Sequence, residues 1–244
     1  MLMCHKIKNG AIFIADAHEN DRRDKLYSFL QKIESKQIAT SQLFLMGDMF
    51  DLLIGHIKYS QNKWQKYIDL IDKIALHVEV FYLEGNHDFQ LSYVFKNINI
   101  IPIKQQPAHF ILEDKTDIYL SHGDKYSGDF LYIVYTKLIR SSVVLKILNF
   151  IDTRKENFIS KKIENDQHKK SICTKIKNFE DIVRKKIVHF KVRKGSFIVE
   201  GHYHQNHSFV VNGYNYINLP SFACNQSYFI VECYQHDKFT SKLL

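Results

Sequence analysis

Leu43-Phe44-Leu45-Met46-Gly47-Asp48-Met49-Phe50-Asp51 is an apolar run that stops abruptly on a glycine and an acid. Four apolar residues bounded by Gly and Asp read as a buried strand running into a loop. Four other runs share this form. Ala11-Ile12-Phe13-Ile14 leads to Asp16-Ala17-His18, and Val78-Glu79-Val80-Phe81-Tyr82-Leu83 leads to Gly85-Asn86-His87-Asp88. Ile118-Tyr119-Leu120 leads to His122-Gly123-Asp124, and Phe197-Ile198-Val199 leads to Gly201-His202-Tyr203-His204. Helical patterns lie between them. Leu26, Phe29, Leu30 and Ile33 share one face, as do Trp64, Tyr67, Ile68, Ile71 and Ile74. Strands alternating with helices predict a layered α/β fold. Ligands in such sheets gather beyond the carboxyl ends of the strands, so the five polar clusters can converge in space. After His204, the alternation of Phe209, Val211, Tyr214 and Tyr216 and the run Tyr228-Phe229-Ile230-Val231 predict further strands completing a second sheet.

One segment breaks the rhythm. From Lys125 to Lys194 the chain carries 18 Lys and Arg against seven Asp and Glu, while the whole chain has a net charge of only +8. Phe130 to Ile151 is apolar apart from a few cations and is expected to bend at Ser141-Ser142 into two helices; Arg154 to Lys186 is charged and helix-prone. The reading is one domain over residues 1–244 with a helical insertion at about 125–194. Apolar residues at 45% exclude a disordered chain. There is no window of about 18 uncharged apolar residues and no apolar leader, so neither a spanning helix nor a signal peptide is expected, and the location expected is cytoplasmic. Four scattered cysteines, Cys4, Cys173, Cys224 and Cys233, are expected to be free thiols.

The polar clusters have the chemistry of a metal centre. Cations with oxygen and imidazole ligands need carboxylates, neutral histidines and amide oxygens held in place. Asp16 and His18, and again His202 and His204, sit two apart, which on an extended chain turns both side chains the same way. Asp48 can bridge two ions, Asn86 offers an amide oxygen, and His122 completes a set of seven. With one bridging carboxylate, seven ligands give four contacts to each of two metals. His87 follows a ligand directly and is expected to face the substrate, where it can donate a proton to the leaving oxygen.

The ordered set Asp16-x-His18, Gly47-Asp48-x-x-Asp51, Gly85-Asn86-His87-Asp88, His122-Gly123-Asp124 and Gly201-His202-x-His204 resembles the calcineurin-like metallophosphoesterases. The resemblance implies a β-sandwich flanked by helices. It implies one metal on Asp16, His18, Asp48 and His204 and a second on Asp48, Asn86, His122 and His202. Mn²⁺ is the first choice, with Fe, Zn or Mg as alternatives. It also implies that Asp51 pairs with His87 and orients it.

Within that superfamily, the phrase Gly47-Asp48-Met49-Phe50-Asp51-Leu52-Leu53-Ile54-Gly55, the later Gly85-Asn86-His87-Asp88-Phe89 and the helical insertion look like the UDP-2,3-diacylglucosamine hydrolases of lipid A synthesis. Those enzymes usually carry Glu at the position of Asp51 and Arg at that of His87. The resemblance implies hydrolysis to UMP and a 1-phosphorylated diacylglucosamine. It also implies a lid over the acyl chains and peripheral contact with the cytoplasmic face of the inner membrane. The apolar, basic insertion suits an anionic lipid, and Asn165, Lys169 and Lys170 are its candidate substrate contacts. A general phosphomonoesterase or phosphodiesterase on nucleotides or phosphoproteins is the alternative. A nuclease fits less well, because the cations are interleaved with apolar stretches such as Val143 to Leu148, and no nucleic-acid partner is expected.

Overall fold

A computed structural model describes residues 5–126 and 130–244, with the backbone alone at 130–133. In chain order the elements are β1 (His5–Ile7), β2 (Ile12–Ile14), α1 (Lys25–Glu34), β3 (Gln42–Leu45), β4 (Leu53–Ile54), α2 (Lys58–Ile74) and β5 (Glu79–Leu83). There follow β6 (Asp88–Phe89), β7 (Asn99–Ile101), β8 (Ala108–Leu112), β9 (Asp117–Ser121) and the helices α3 (Phe130–Ile139), α4 (Ser142–Arg154), α5 (Phe158–His168) and α6 (Phe179–Ile187). The chain ends with β10 (Phe197–Glu200), β11 (His207–Val211), β12 (Tyr214–Asn218), α7 (Phe222–Asn225), β13 (Ser227–Val231) and β14 (Phe239–Leu243).

Two six-stranded sheets form the centre. The first runs β14-β13-β2-β3-β5-β7 and the second β1-β8-β9-β10-β12-β11, while β4 and β6 make a two-stranded ribbon. In the first sheet β2, β3, β5 and β7 are parallel, so the loops bearing Asp16, Asp48 and Asn86 leave the same edge. In the second, β9, β10 and β12 are parallel, which brings His122 and His202 to one edge as well. The terminal strands do not all complete the second sheet as the alternation predicts. β11 and β12 do, but β13 pairs antiparallel with β2 and carries β14 to the edge of the first sheet. Periodicity sets which face a strand buries, and it is silent on which sheet the strand joins.

The inner faces of the two sheets meet in one apolar layer. Register sets Phe13, Phe44 and Phe81 side by side on adjacent strands. Their rings stack at 4.3 and 4.7 Å and meet Phe110, Ile118, Leu120 and Val199 of the second sheet. The stripes on α1 and α2 cover the outer face of the first sheet, burying the residues that the 3.6-residue period marks. The face of α6 formed by Phe179, Val183 and Ile187 covers the second.

All four helices α3 to α6 fall between β9 and β10, and the break between α3 and α4 comes at Arg140-Ser141, one residue before the expected bend at Ser141-Ser142. Leu145 of α4 docks on Leu52, Ile54, Ile57 and Phe89 around the ribbon. No described helix is long and apolar enough to cross a membrane. One expectation fails outright. Cys173, between α5 and α6, is joined to Cys224 of α7 by a disulfide, and Cys233 is a free, buried thiol. The two partners lie 51 residues apart in sequence, and only the fold makes them neighbours. Cys4 lies outside the described residues.

Candidate active site

Each strand-end loop delivers its side chains through an unusual backbone. Asp16, His18, Asp48, His202 and His204 all have φ between 43° and 62°. For residues with a Cβ this left-handed region is sparsely used, and its occupants cluster where function holds them. The two-apart pairs therefore do not share a side by lying on extended chain, as the spacing suggests. They do so through alternate left-handed residues in a tight loop. Close approach of backbone to ligand also explains two glycines. A Cβ at Gly85 would lie 2.2 Å from Asp48 Oδ1, and one at Gly201 would lie 2.4 Å from Asp16 Oδ2.

The result is a buried cluster of donor atoms. Three overlapping sets have ligand atoms within 4.8 Å of one another: Asp16, His18 and His204; His18, Asp48 and His87; and Asp48, His122 and His202. His204 Nε2 stands 3.2 Å from Asp16 Oδ1, and His122 Nε2 stands 3.3 Å from both Asp48 Oδ2 and Asn86 Oδ1. The seven sequence-identified residues are thus brought to one cleft. His122 Nδ1 donates to the Met46 carbonyl at 3.0 Å and His204 Nδ1 to the Ile172 carbonyl at 2.6 Å. A carbonyl can only accept, so both rings carry hydrogen on Nδ1 and present Nε2 to the cleft.

Charge is balanced within the cluster. Burial opposes ionisation of Asp48, yet His122, His87 and His18 hold its carboxyl well below the usual range. Burial and the neighbouring His122 push His202 down to about 3, which keeps it neutral. Burial also lowers His87, against the pull of Asp48. Against burial, Asp48 holds His122 well above the usual imidazole range and Asp16 raises His204, so a divalent cation would displace a proton from each. Carboxylates, imidazoles and an amide oxygen are then the donor set such cations take, and the residues fit.

Asp51 does not meet His87 in the way the resemblance implies. Its carboxylate accepts from the Arg23 guanidinium at 2.8 and 3.0 Å and from the Asn20 amide at 2.6 Å, and faces His18 Nδ1 at 3.3 Å. What reaches His87 is the Asp51 main-chain carbonyl, 3.1 Å from Nδ1. The carboxylate is turned away by Arg23, a charge partner from the first loop that no motif marks. Of the candidate substrate contacts, Lys170 lines the cleft, whereas Asn165 is exposed outside it and Lys169 lies toward Asp166 at 3.8 Å. His56 packs against Tyr93, with ring centroids 4.2 Å apart, and does not line the cleft.

Sequence reading missed the residues that hold the loops. Asp88 accepts from the Asp48, Met49 and Gly85 amides and from the Tyr82 hydroxyl, and burial beside Asp48 lifts its carboxyl to about 7. Arg140 of the insertion donates to the Gly85 carbonyl and to Asp124, tying the third and fourth loops together. The acidic end of Gly85-Asn86-His87-Asp88 was the available signal for Asp88; nothing local pointed to Arg140.

The metal-ready cleft at the strand ends of a two-sheet α/β core defines a metallophosphoesterase, a hydrolase acting on phosphoester bonds. The calcineurin-like phosphoesterase family matches residues 11–206, and the chain belongs to it. Two relatives named UDP-2,3-diacylglucosamine hydrolase come from Azotobacter vinelandii and Histophilus somni. The first is 22% identical over 80% of this chain and 81% of its own length, the second 24% over 79% and 83%. Among solved structures, the E. coli phosphoesterase Yfce aligns over 95% of this chain and 97% of its own, with a TM-score of 0.46 and 12% identity.

Proposed function

We propose that the chain is a dinuclear hydrolase that cleaves UDP-2,3-diacylglucosamine to UMP and 2,3-diacylglucosamine 1-phosphate. The observation that carries the substrate is a shared wall. Asn86, His87, Gln167 and Lys170 border both the metal cleft and a second cavity of about 320 Å³. That chamber is lined by apolar side chains of the ribbon and the insertion, among them Leu52, Ile54, Phe89, Ile139, Leu145 and Leu148. A phosphate-splitting centre opening directly on an apolar chamber suits a phosphorylated lipid better than a nucleotide or a phosphoprotein. The names of the relatives from A. vinelandii and H. somni support the same substrate.

Asp16, His18, Asp48 and His204 would hold one divalent cation and Asp48, Asn86, His122 and His202 the other, with Mn²⁺ as the first choice. When bound, such a pair lowers the pKa of water and neutralises phosphoryl charge. The remaining work falls to the chain. The Asp51 carbonyl takes the Nδ1 hydrogen of His87, so Nε2 is the atom that gains and loses a proton on the cleft side. His87 would give an Nε2 proton to the departing phosphate oxygen and recover one from the water whose hydroxyl adds to phosphorus, so that the protons balance over the turnover. Arg23 and Asn20 fix the Asp51 carboxylate, which in turn holds His18. Lys170, at the junction of cleft and chamber, meets the phosphates. The insertion acts as a lid whose outer face leaves Leu138, Val143, Ile147 and Phe150 exposed among Lys137, Lys146 and Arg154, a pattern suited to peripheral contact with an anionic leaflet.

The deciding assay compares UDP-2,3-diacylglucosamine with its deacylated analogue. The expected result is a kcat/KM for the acylated compound at least about tenfold higher, since each buried methylene contributes about 0.8 kcal/mol. Equal values would rule out the lipid reading and leave the general phosphodiesterase.

A further inference from the structure

The disulfide that the sequence did not predict joins two segments that each hold a residue of the metal cleft. On one side lies the strap between α5 and α6. Ser171, Ile172, Thr174 and Ile176 line the cleft, and the Ile172 carbonyl is the acceptor that fixes His204. Cys173 is the next residue. On the other side lies α7. Its Phe222 and Ala223 amides donate to the Ala15 and Asp16 carbonyls at 2.9 and 3.2 Å, and Ser221 Oγ donates to the Asp16 carbonyl at 2.6 Å. Cys224 follows directly. The sulfur bridge therefore links the support of His204 to the support of Asp16, whose side chains face each other at 3.2 Å.

Other ties hold the far end of the strap. The Gln205 side chain accepts from the Ile176 amide at 2.8 Å and donates to the Thr174 carbonyl at 3.2 Å. Toward Ile172, among the described residues, the strap is fixed by the His204 bond and the disulfide, with a Ser171–Thr174 hydroxyl contact inside it. Cys173 and Cys224 are both exposed, and an exposed disulfide is open to exchange with soluble dithiols. A carbonyl that orients a ligating histidine governs metal affinity as the ligands themselves do.

We propose that Cys173 and Cys224 form a redox-responsive modification site that positions His204 and sets how firmly the Asp16–His18–His204 half of the centre keeps its metal. The inference rests on the reading of that half as a metal site. The step is thiol–disulfide exchange. A dithiol thiolate attacks one sulfur, the other cysteine leaves as a thiol, and the second reductant thiol closes its own disulfide. Two electrons and two protons pass to the protein. The strap then loses its tie to α7, the Ile172 carbonyl no longer stands fixed over His204 Nδ1, and metal escapes faster.

The test uses the metal-loaded chain. Thiols are counted in denaturant before and after a dithiol, and the rate of metal release to an excess of chelator is followed spectroscopically. Two thiols are expected untreated and four after reduction, given four cysteines and one bridge. Reduction should speed metal release about tenfold or more. Cys173→Ser and Cys224→Ser should each release metal at the reduced rate, with no response to dithiol, and oxidised glutathione should restore slow release only in the parent chain. Four thiols from the outset, or two thiols with release unchanged on reduction, would overturn the proposal. A chain that takes up no metal in either state would instead overturn the metal reading on which it stands.

Discussion

At the scale of single residues, the centre is defined by where hydrogens sit as much as by which side chains converge. Three histidines give their Nδ1 hydrogen to main-chain carbonyls, His87 to Asp51, His122 to Met46 and His204 to Ile172. Each keeps Nε2 for the cleft. His87 differs in that its Nε2 lies 3.9 Å from Asp48 Oδ2, farther than that of His122. His87→Ala should therefore lower kcat about a hundredfold or more with bound metal unchanged, as loss of a general acid does; a fall in metal content would make His87 a ligand instead. Asp48→Ala should abolish turnover and metal uptake together, because both ions lose a donor, and near-normal activity would refute the two-metal assignment. The residue types of the site were legible in the sequence because glycine-bounded motifs announce them. Their geometry was not. Alternation on an extended strand suggests that Asp16 and His18 share a side, but the chain reaches that result through φ values of 53° and 43°. Nor could spacing show that Arg23 captures the Asp51 carboxylate, since that contact spans 28 residues.

At the scale of elements, runs stopped by glycine or acid revealed β2, β3, β5, β9 and β10, and 3.6-residue stripes revealed α1 and α2. These segments bury one or both faces and so carry a strong apolar period. The ribbon strands β4 and β6 are two residues each and too short for any period. β14, Phe239 to Leu243, is largely exposed and carries little apolar signal. The ribbon nonetheless supplies the floor on which the insertion rests. Leu145 is almost fully buried against it, and a carboxylate there would have to be desolvated without a partner. Leu145→Asp should undock α4 and lower kcat/KM on the acylated substrate about tenfold or more, with turnover of bis(p-nitrophenyl) phosphate held within about twofold. Parallel losses on both substrates would show that the insertion supports the centre itself rather than the chamber.

At the scale of the whole molecule, charge and apolar surface coincide. The segment from Lys125 to Lys194 carries the basic excess, and its helices α3 and α4 present a cluster of exposed apolar side chains, Leu138, Val143, Ile147 and Phe150 among them. Vesicles containing phosphatidylglycerol should bind the chain, whereas neutral phosphatidylcholine vesicles should bind it weakly. Raising salt from about 0.1 to 1 M shortens the Debye length from about 10 to 3 Å and should release most of the bound protein. Binding indifferent to both lipid charge and salt would remove the basic face from the account.

The pairing of β13 with β2 has a consequence for how the chain comes into being. Phe13 and Phe229 are register partners, so during synthesis β2 waits for a strand that lies about 216 residues further along the chain. At synthesis rates of about 5–20 residues per second, that wait is on the order of 10–40 s. Throughout it, one hydrogen-bonding edge of β2 stands without its partner, open to other extended chains. The nascent protein is therefore exposed to aggregation at that edge until β13 emerges, and a holding chaperone would find its target there.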